Sequence, residues 1–196
     1  MASDTTVSEL LNRLSGRIPS IAKAYSGDVF RFVDPRFSSV GAQFAGEGAR
    51  VADGRWSLQS NKHLAVYTSL EPETALAEAL STIRYYGFPD SKATPLVLVT
   101  AKVHLAKVID LRDGKVRQRL KISEDSIRHT DWRANNLKGL ISITQLWGQA
   151  IVESGIEGLI VPSAAWSSGT NIVIFPENFS ADTHVKVTHE VKWPRP

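Results

Sequence analysis

The run at residues 96–111, LVLVTAKVHLAKVIDL, limits the possible folds of this chain more than any other segment. It is rich in β-branched residues, whose stiff side chains suit a pleated surface better than a helix. It reads as one long strand or two short ones, and such a strand needs partners along its edges. Candidate partners are residues 29–33, which alternate around Arg31, and residues 64–69, 158–161, 171–175 and 184–193. Helical patterns lie between them. Leu10, Leu11, Leu14, Ile18, Ile21 and Ala22 recur near helical spacing, with Gly16 and Pro19 as breaks. Pro72 suits the first position of a helix running to about Tyr86, stopped by Gly87 and Pro89. Residues 123–130 suit a short helix. The clearest pattern is 137–154, with Leu137, Leu140, Ile141, Thr144, Trp147 and Ile151 on one face and Gly155 as a stop. Residues 34–54 are glycine-rich and weakly periodic, and read as a long loop. The order of elements predicts one α+β domain with a mixed or mainly antiparallel sheet.

Composition excludes several function classes. The chain has no cysteine, which removes disulfide scaffolds, thiolate metal sites and cysteine nucleophiles. The five histidines show no ligand spacing, so no metal is expected. No apolar run approaches the roughly 20 residues of a membrane span, and the N-terminus lacks a basic segment followed by an apolar one. A soluble, cytoplasmic protein is therefore expected. The net charge of +3 invites a nucleic-acid reading. The densest basic cluster, RDGKVRQRLK at 112–121, contains an acid and no aromatic residue, so it reads as solvated surface and not as a binding groove. Neither a phosphate-binding glycine loop nor a G-x-S-x-G elbow is present.

Several positions could carry chemistry. Arg31 lies mid-strand between Phe30 and Phe32, where alternation favours a solvent-facing side chain over a buried one with an anionic partner. Arg55 follows Gly54, whose missing side chain would let backbone approach a ligand, and a guanidinium fork matches phosphate oxygens. Tyr67 shares a strand face with Ala65 and Ser69, which leaves room for a flat group, although a core tyrosine would look the same. Glu78 falls with Thr74 and Thr82 on the polar flank of a helix whose apolar stripe is Ala75, Leu76, Ala79, Leu80 and Ile83. A glutamate there is ordinarily solvated. Ser163 ends an apolar strand, and the loop from it to Asn171 could donate backbone and hydroxyl hydrogen bonds to phosphate.

Singly, each residue has an ordinary structural explanation; in order, they form a pattern. FRFVDPRF carries Arg31, DGRWS carries Arg55 and Trp56, and AVYTSLEPETALAE carries Tyr67 and Glu78. DWR at 131–133, TQLWG at 144–148 and EGLIVPSAAWSSGTNIVIFPEN, with Ser163 and Asn171, complete it. Over residues 29–179 the chain resembles the RES domain family, whose studied members include toxins of RES–Xre toxin–antitoxin pairs. Asp53 stands where a second glycine is common in that family, and Ser57 where asparagine is common.

The resemblance implies a fold like that of ADP-ribosyltransferases over residues 26–196, preceded by an N-terminal helical segment at 1–25. It also implies NAD+ degradation: phosphorolysis to nicotinamide and ADP-ribose-1″-phosphate, with inorganic phosphate as co-substrate and no separate cofactor. Glu78 would stabilise charge on the ribose and Tyr67 would stack on nicotinamide. Arg31 and Arg55 would hold phosphate groups, while Ser163 and Asn171 would orient ribose or phosphate hydroxyls. An Xre-type helix-turn-helix antitoxin covering the cleft and a homodimer are the partners implied. The alternatives are mono-ADP-ribosylation of a macromolecule and a non-catalytic module that binds a nucleotide or protein.

Overall fold

The run at 96–111 forms a single strand, β3 (Leu96–Asp110), in the computed structural model, which describes residues 5–37 and 43–193. At about 3.3 Å per residue this strand is roughly 50 Å long, enough to carry different partners in succession along one edge. β1 (Ala22–Val33) runs antiparallel along one edge from Val97 to Ile109. The other edge is shared: β6 (His184–Trp193) pairs antiparallel with the first part, and β4 (Gly158–Pro162) pairs parallel with Val108–Asp110. β5 (Thr170–Ile174) joins β4, and β2 (Val66–Ser69) joins β5. β2 then meets β1 through the pair Phe30–Ser69. The order β1–β2–β5–β4–β3 thus returns to β1, and the mixed sheet curls round on itself.

Each face of this sheet has its own apolar cluster. Val66, Ile160, Ile172 and Ile174 pack with Val29, Ala101 and Val103 on one side. On the other, Leu159, Val161, Val173 and Phe175 pack beneath α1 (Val7–Leu14), α4 (Gly114–Leu120), α5 (Glu124–His129) and α7 (Ile143–Glu153). All five residues of β4 are buried, as suits a central strand covered on both faces. α1 opens with a capping box between Thr6 and Glu9, and its Leu10 and Leu14 are completely enclosed. Each such leucine contributes about 1.5–3 kcal/mol through burial. α2 (Ile18–Ile21) leads directly into β1, so the boundary expected at residue 25 falls inside a strand. α3 (Pro72–Tyr85) begins at Pro72 and packs against β1.

Two expectations change. The helix read over 137–154 is two helices, α6 (Trp132–Leu137) and α7. Gly139, at φ +70°, breaks the first, and a capping box between Ser142 and Gln145 starts the second. Leu137, Leu140 and Ile141 are consequently exposed instead of sharing α7's buried face. The basic cluster at 112–121 contains a helix, α4, with Val116 and Leu120 in the core. Two of its basic residues are in ion pairs, Arg112 with Asp110 and Arg117 with Glu124. The loop expected over 34–54 contains short 3₁₀ turns, and its residues 38–42 lie outside the described ones. No helix among the described residues is long and apolar enough to cross a membrane.

Candidate active site

A cavity of about 770 Å³ opens on the sheet face that carries Ala65, Tyr67, Ser69, Asn171 and Val173. Its walls come from β1, the loop ahead of β2, α3 and α6. Glu78 enters from the second turn of α3. Its Oε1 accepts hydrogen bonds from the Ser163 hydroxyl and the Asn171 amide, both at 2.6 Å, while Oε2 accepts none among the described residues. The Ser163 hydroxyl in turn accepts from the backbone N–H groups of Ala165 (3.1 Å) and Trp166 (3.0 Å). With two donors pointing at its oxygen, its own hydrogen is directed to Glu78. Asn171 is fixed from the other side by the Ser69 hydroxyl, which donates to Oδ1 at 2.7 Å. Gly169 lets this loop lie against α3: a Cβ there would stand 2.3 Å from the Thr74 hydroxyl.

The Gly54–Ser57 turn closes on itself through reciprocal backbone hydrogen bonds and turns its two central side chains apart. Trp56 is buried in the core, where Gly148 of α7 meets its backbone, and Gln145 Nε2 donates to the Gly54 carbonyl at 3.1 Å. Arg55 turns into the cavity and donates through Nη1 to the carbonyls of Ile127 (3.1 Å) and Thr130 (2.9 Å), at the C-terminal end of α5. Burial lowers its pKa, and the charge of Glu78 opposes that effect. Tyr67 presents its ring to the cavity, while its hydroxyl accepts from the Trp56 N–H at 2.9 Å and lies 2.9 Å from Ser57 Oγ. Enclosure pushes this phenol up to about 12, so it stays neutral throughout the physiological range.

Arg31 is set deep in the wall. Its Nη1 donates to the Gln43 carbonyl, its Cζ lies 5.9 Å from the Phe44 ring centroid, and its Nε is buried without a hydrogen-bond partner. Burial pulls its pKa down to about 10, which still leaves it charged at neutral pH. Gln43 is anchored by donating to Glu190 of β6 at 2.8 Å.

Compared with known families, residues 28–195 match the RES domain. The chain belongs to the RES domain family. A search of curated proteins finds no match. Among solved structures, a chain of the M. tuberculosis MbcT–MbcA toxin–antitoxin complex is similar, with a TM-score of 0.71 at 20% identity. The superposition covers 93% of this chain and 91% of that one. At that identity the likeness concerns the fold.

This RES domain brings Arg31, Arg55, Tyr67, Glu78 and Asn171 to one cavity, with Ser163 immediately behind it. Three sequence readings require correction. Arg31 does not face open solvent, because Gln43 and Phe44 of the loop that follows β1 lie against it. Ser163 is 1% exposed and its loop amides at Ala165 and Trp166 are spent on its own oxygen, so it holds Glu78 and leaves the ligand to others. Gly54 makes room for a side chain and not for a ligand: a Cβ there would lie 2.3 Å from the Tyr67 hydroxyl and 2.9 Å from Ser57 Oγ. Gly54→Ala should therefore unseat Tyr67 and cost about 1–3 kcal/mol of stability, as overpacking does. Urea denaturation would measure this, and a variant as stable as its parent would mean that the seat has slack. Sequence reasoning assigned no role to Trp132 and Arg133, which also line the cavity. The DWR motif was their signal, but nothing in its spacing tells which way it turns.

Proposed function

We propose that this RES domain protein cleaves the N-glycosidic bond of NAD+, with inorganic phosphate as acceptor, and acts as the toxin of a toxin–antitoxin pair. One observation carries the reading: a carboxylate held by two hydrogen bonds, in a cavity whose lining also includes four arginines and an exposed tyrosine ring. As nicotinamide leaves with the bonding electron pair, positive charge develops at ribose C1″ and its ring oxygen. Glu78 Oε2 is the free carboxylate oxygen that would stabilise this charge. A fixed carboxylate stabilises the charge as it forms and needs no reorganisation, so it lowers the barrier to bond breaking. Phosphate then attacks C1″ and forms ADP-ribose-1″-phosphate. Tyr67 supplies the stacking surface for nicotinamide. Arg31, with a buried unpartnered Nε, and Arg55 supply charge for phosphate groups. Asn171 and Ser163 keep the carboxylate in place. The cavity is within the size range of sites for small molecules and cofactors.

The fold shared with a chain of a toxin–antitoxin complex supports an antitoxin partner; its Xre helix-turn-helix type and a cytoplasmic site of action are part of the proposal. Phosphorus NMR of NAD+ incubated with the protein tests the chemistry. A new phosphomonoester resonance that requires added phosphate is the expected result. ADP-ribose alone would replace phosphate by water as acceptor, and an unchanged spectrum would overturn the reading.

A further inference from the structure

Four arginines line the cavity, and they are not equivalent. Arg84 is committed to Asp90 through two hydrogen bonds of 2.9 and 2.8 Å. Arg31, Arg55 and Arg133 have no carboxylate within ion-pair distance among the described residues. Arg133 is the most firmly posed. Its Cζ lies 4.4 Å from the Trp132 ring centroid and 5.2 Å from that of Tyr85, and its Nη2 donates to the Thr82 hydroxyl at 2.7 Å. The nearby Asp131 carboxylate is occupied elsewhere, accepting from the Tyr85 hydroxyl (3.1 Å) and the Ala134 N–H (2.9 Å). That contact fastens α6 to the last turn of α3 and fixes both rings around the guanidinium.

This placement is informative for two reasons. Thr82 is four residues beyond Glu78, one turn further along the same face of α3, or about 6 Å. Arg55 also donates to the carbonyl of Thr130, three residues ahead of Arg133, so the two guanidiniums belong to the same part of the cavity wall. Two guanidiniums on one wall of a cavity, neither in an ion pair among the described residues, form an arrangement that an anion suits. Stacking between rings also leaves the guanidinium edge, with its remaining donors, free for such an anion.

We propose that Arg133 and Arg55 form a diphosphate-binding subsite, one helical turn from Glu78, that engages the phosphoanhydride of a dinucleotide. The proposal rests on the NAD+ reading for the identity of the ligand but not for the presence of the anion site. It divides the labour among the arginines: Arg133 and Arg55 hold the diphosphate, which leaves Arg31 for inorganic phosphate.

Tryptophan fluorescence titration with inorganic pyrophosphate and with ADP-ribose tests it, because Trp132 lies against the guanidinium. Both ligands should change the emission, and Trp132→Phe should remove most of that change. Arg133→Gln should weaken both ligands by about ten- to a hundredfold, the worth of a charge-assisted contact. Adenosine, which has no phosphate, should bind the variant and the parent alike. Arg133→Met keeps the apolar stem between the rings and removes the charge, so it serves if the glutamine variant melts early. Undiminished pyrophosphate and ADP-ribose affinity in a folded variant overturns the subsite, and so does a parent protein whose emission ignores both ligands. The two proposals fail separately. Arg133-dependent pyrophosphate binding without NAD+ cleavage leaves the subsite standing and removes the reaction. NAD+ cleavage with an unchanged KM in Arg133→Gln does the reverse.

Discussion

Glu78→Gln is expected to lower NAD+ turnover by about two to three orders of magnitude, the range found when one fixed electrostatic group is removed from an active site. Glutamine is the right replacement because it isolates charge. Its side-chain carbonyl can accept the Ser163 and Asn171 hydrogen bonds that Oε1 accepts now, so the cavity keeps its shape. What changes is the other position, where a neutral amide replaces the carboxylate oxygen that would face the ribose. The loss should fall on kcat with KM nearly unchanged, because charge develops only as the glycosidic bond breaks. Initial rates of nicotinamide release, beside a melting curve for each protein, would measure both quantities. A folded glutamine variant that turns over like its parent would remove Glu78 from the mechanism. Ser163→Ala should fall between the two, since Asn171 would still hold the carboxylate.

Gly148→Ala is expected to be the most damaging small substitution in the chain. On propensity alone, alanine should stabilise a helix by about 1 kcal/mol relative to glycine. Packing opposes this by a larger amount. A Cβ at position 148 would stand 1.9 Å from the Trp56 carbonyl oxygen and 2.6 Å from its carbonyl carbon. These are backbone atoms in a closed turn whose tryptophan is buried, so no rotamer change can relieve the clash. α7 or the turn must move, and a net loss of about 3 kcal/mol or more follows, at the upper end for overpacking. For a chain of this size that corresponds to a melting point lower by roughly 6–12 °C. Calorimetry would decide the sign, and a variant as stable as the parent would show that the contact is slack. The turn also carries Arg55, so residual folded protein should bind phosphate ligands poorly.

How much of this was visible in the sequence depended on the kind of information needed. β-branched runs reported the strands, because strand character is local: β3 and β6 lie where the pattern puts them. The start of α7 was misread because Leu137, Leu140 and Ile141 continue its apolar spacing, whereas Gly139 and the Ser142 cap decide the break. Orientation was the harder problem. Glu78, Thr74 and Thr82 share a polar flank, and polarity alone cannot distinguish a flank facing water from one facing other polar groups. Here Thr74 is buried against Gly169, and Glu78 meets Ser163 and Asn171. Arg31 failed for a related reason, since alternation identifies opposite faces of a strand but not whether the second face is covered. Motif order singled out residues that the fold brings to one cavity, which periodicity could not, yet it did not tell that Ser163 lies behind Glu78 or that Arg133 lines the same cavity.

The bonds that make the site join parts of the chain that are far apart in sequence. Glu78 is 85 residues from Ser163 and 93 from Asn171, Arg55 is 75 from Thr130, and Gln145 is 91 from Gly54. Each contact closes a large loop, whose entropy must be lost before the contact can repay it. Together these contacts span residues 54–171, so the set is complete only in a fragment that reaches β5. A ribosome must therefore release the chain through β5 before Glu78 can be held by both Ser163 and Asn171, and a chain truncated ahead of β5 should lack that arrangement however well its early helices form. Late assembly of this kind would separate synthesis from any chemistry in the cavity by an interval that the topology of the sheet sets.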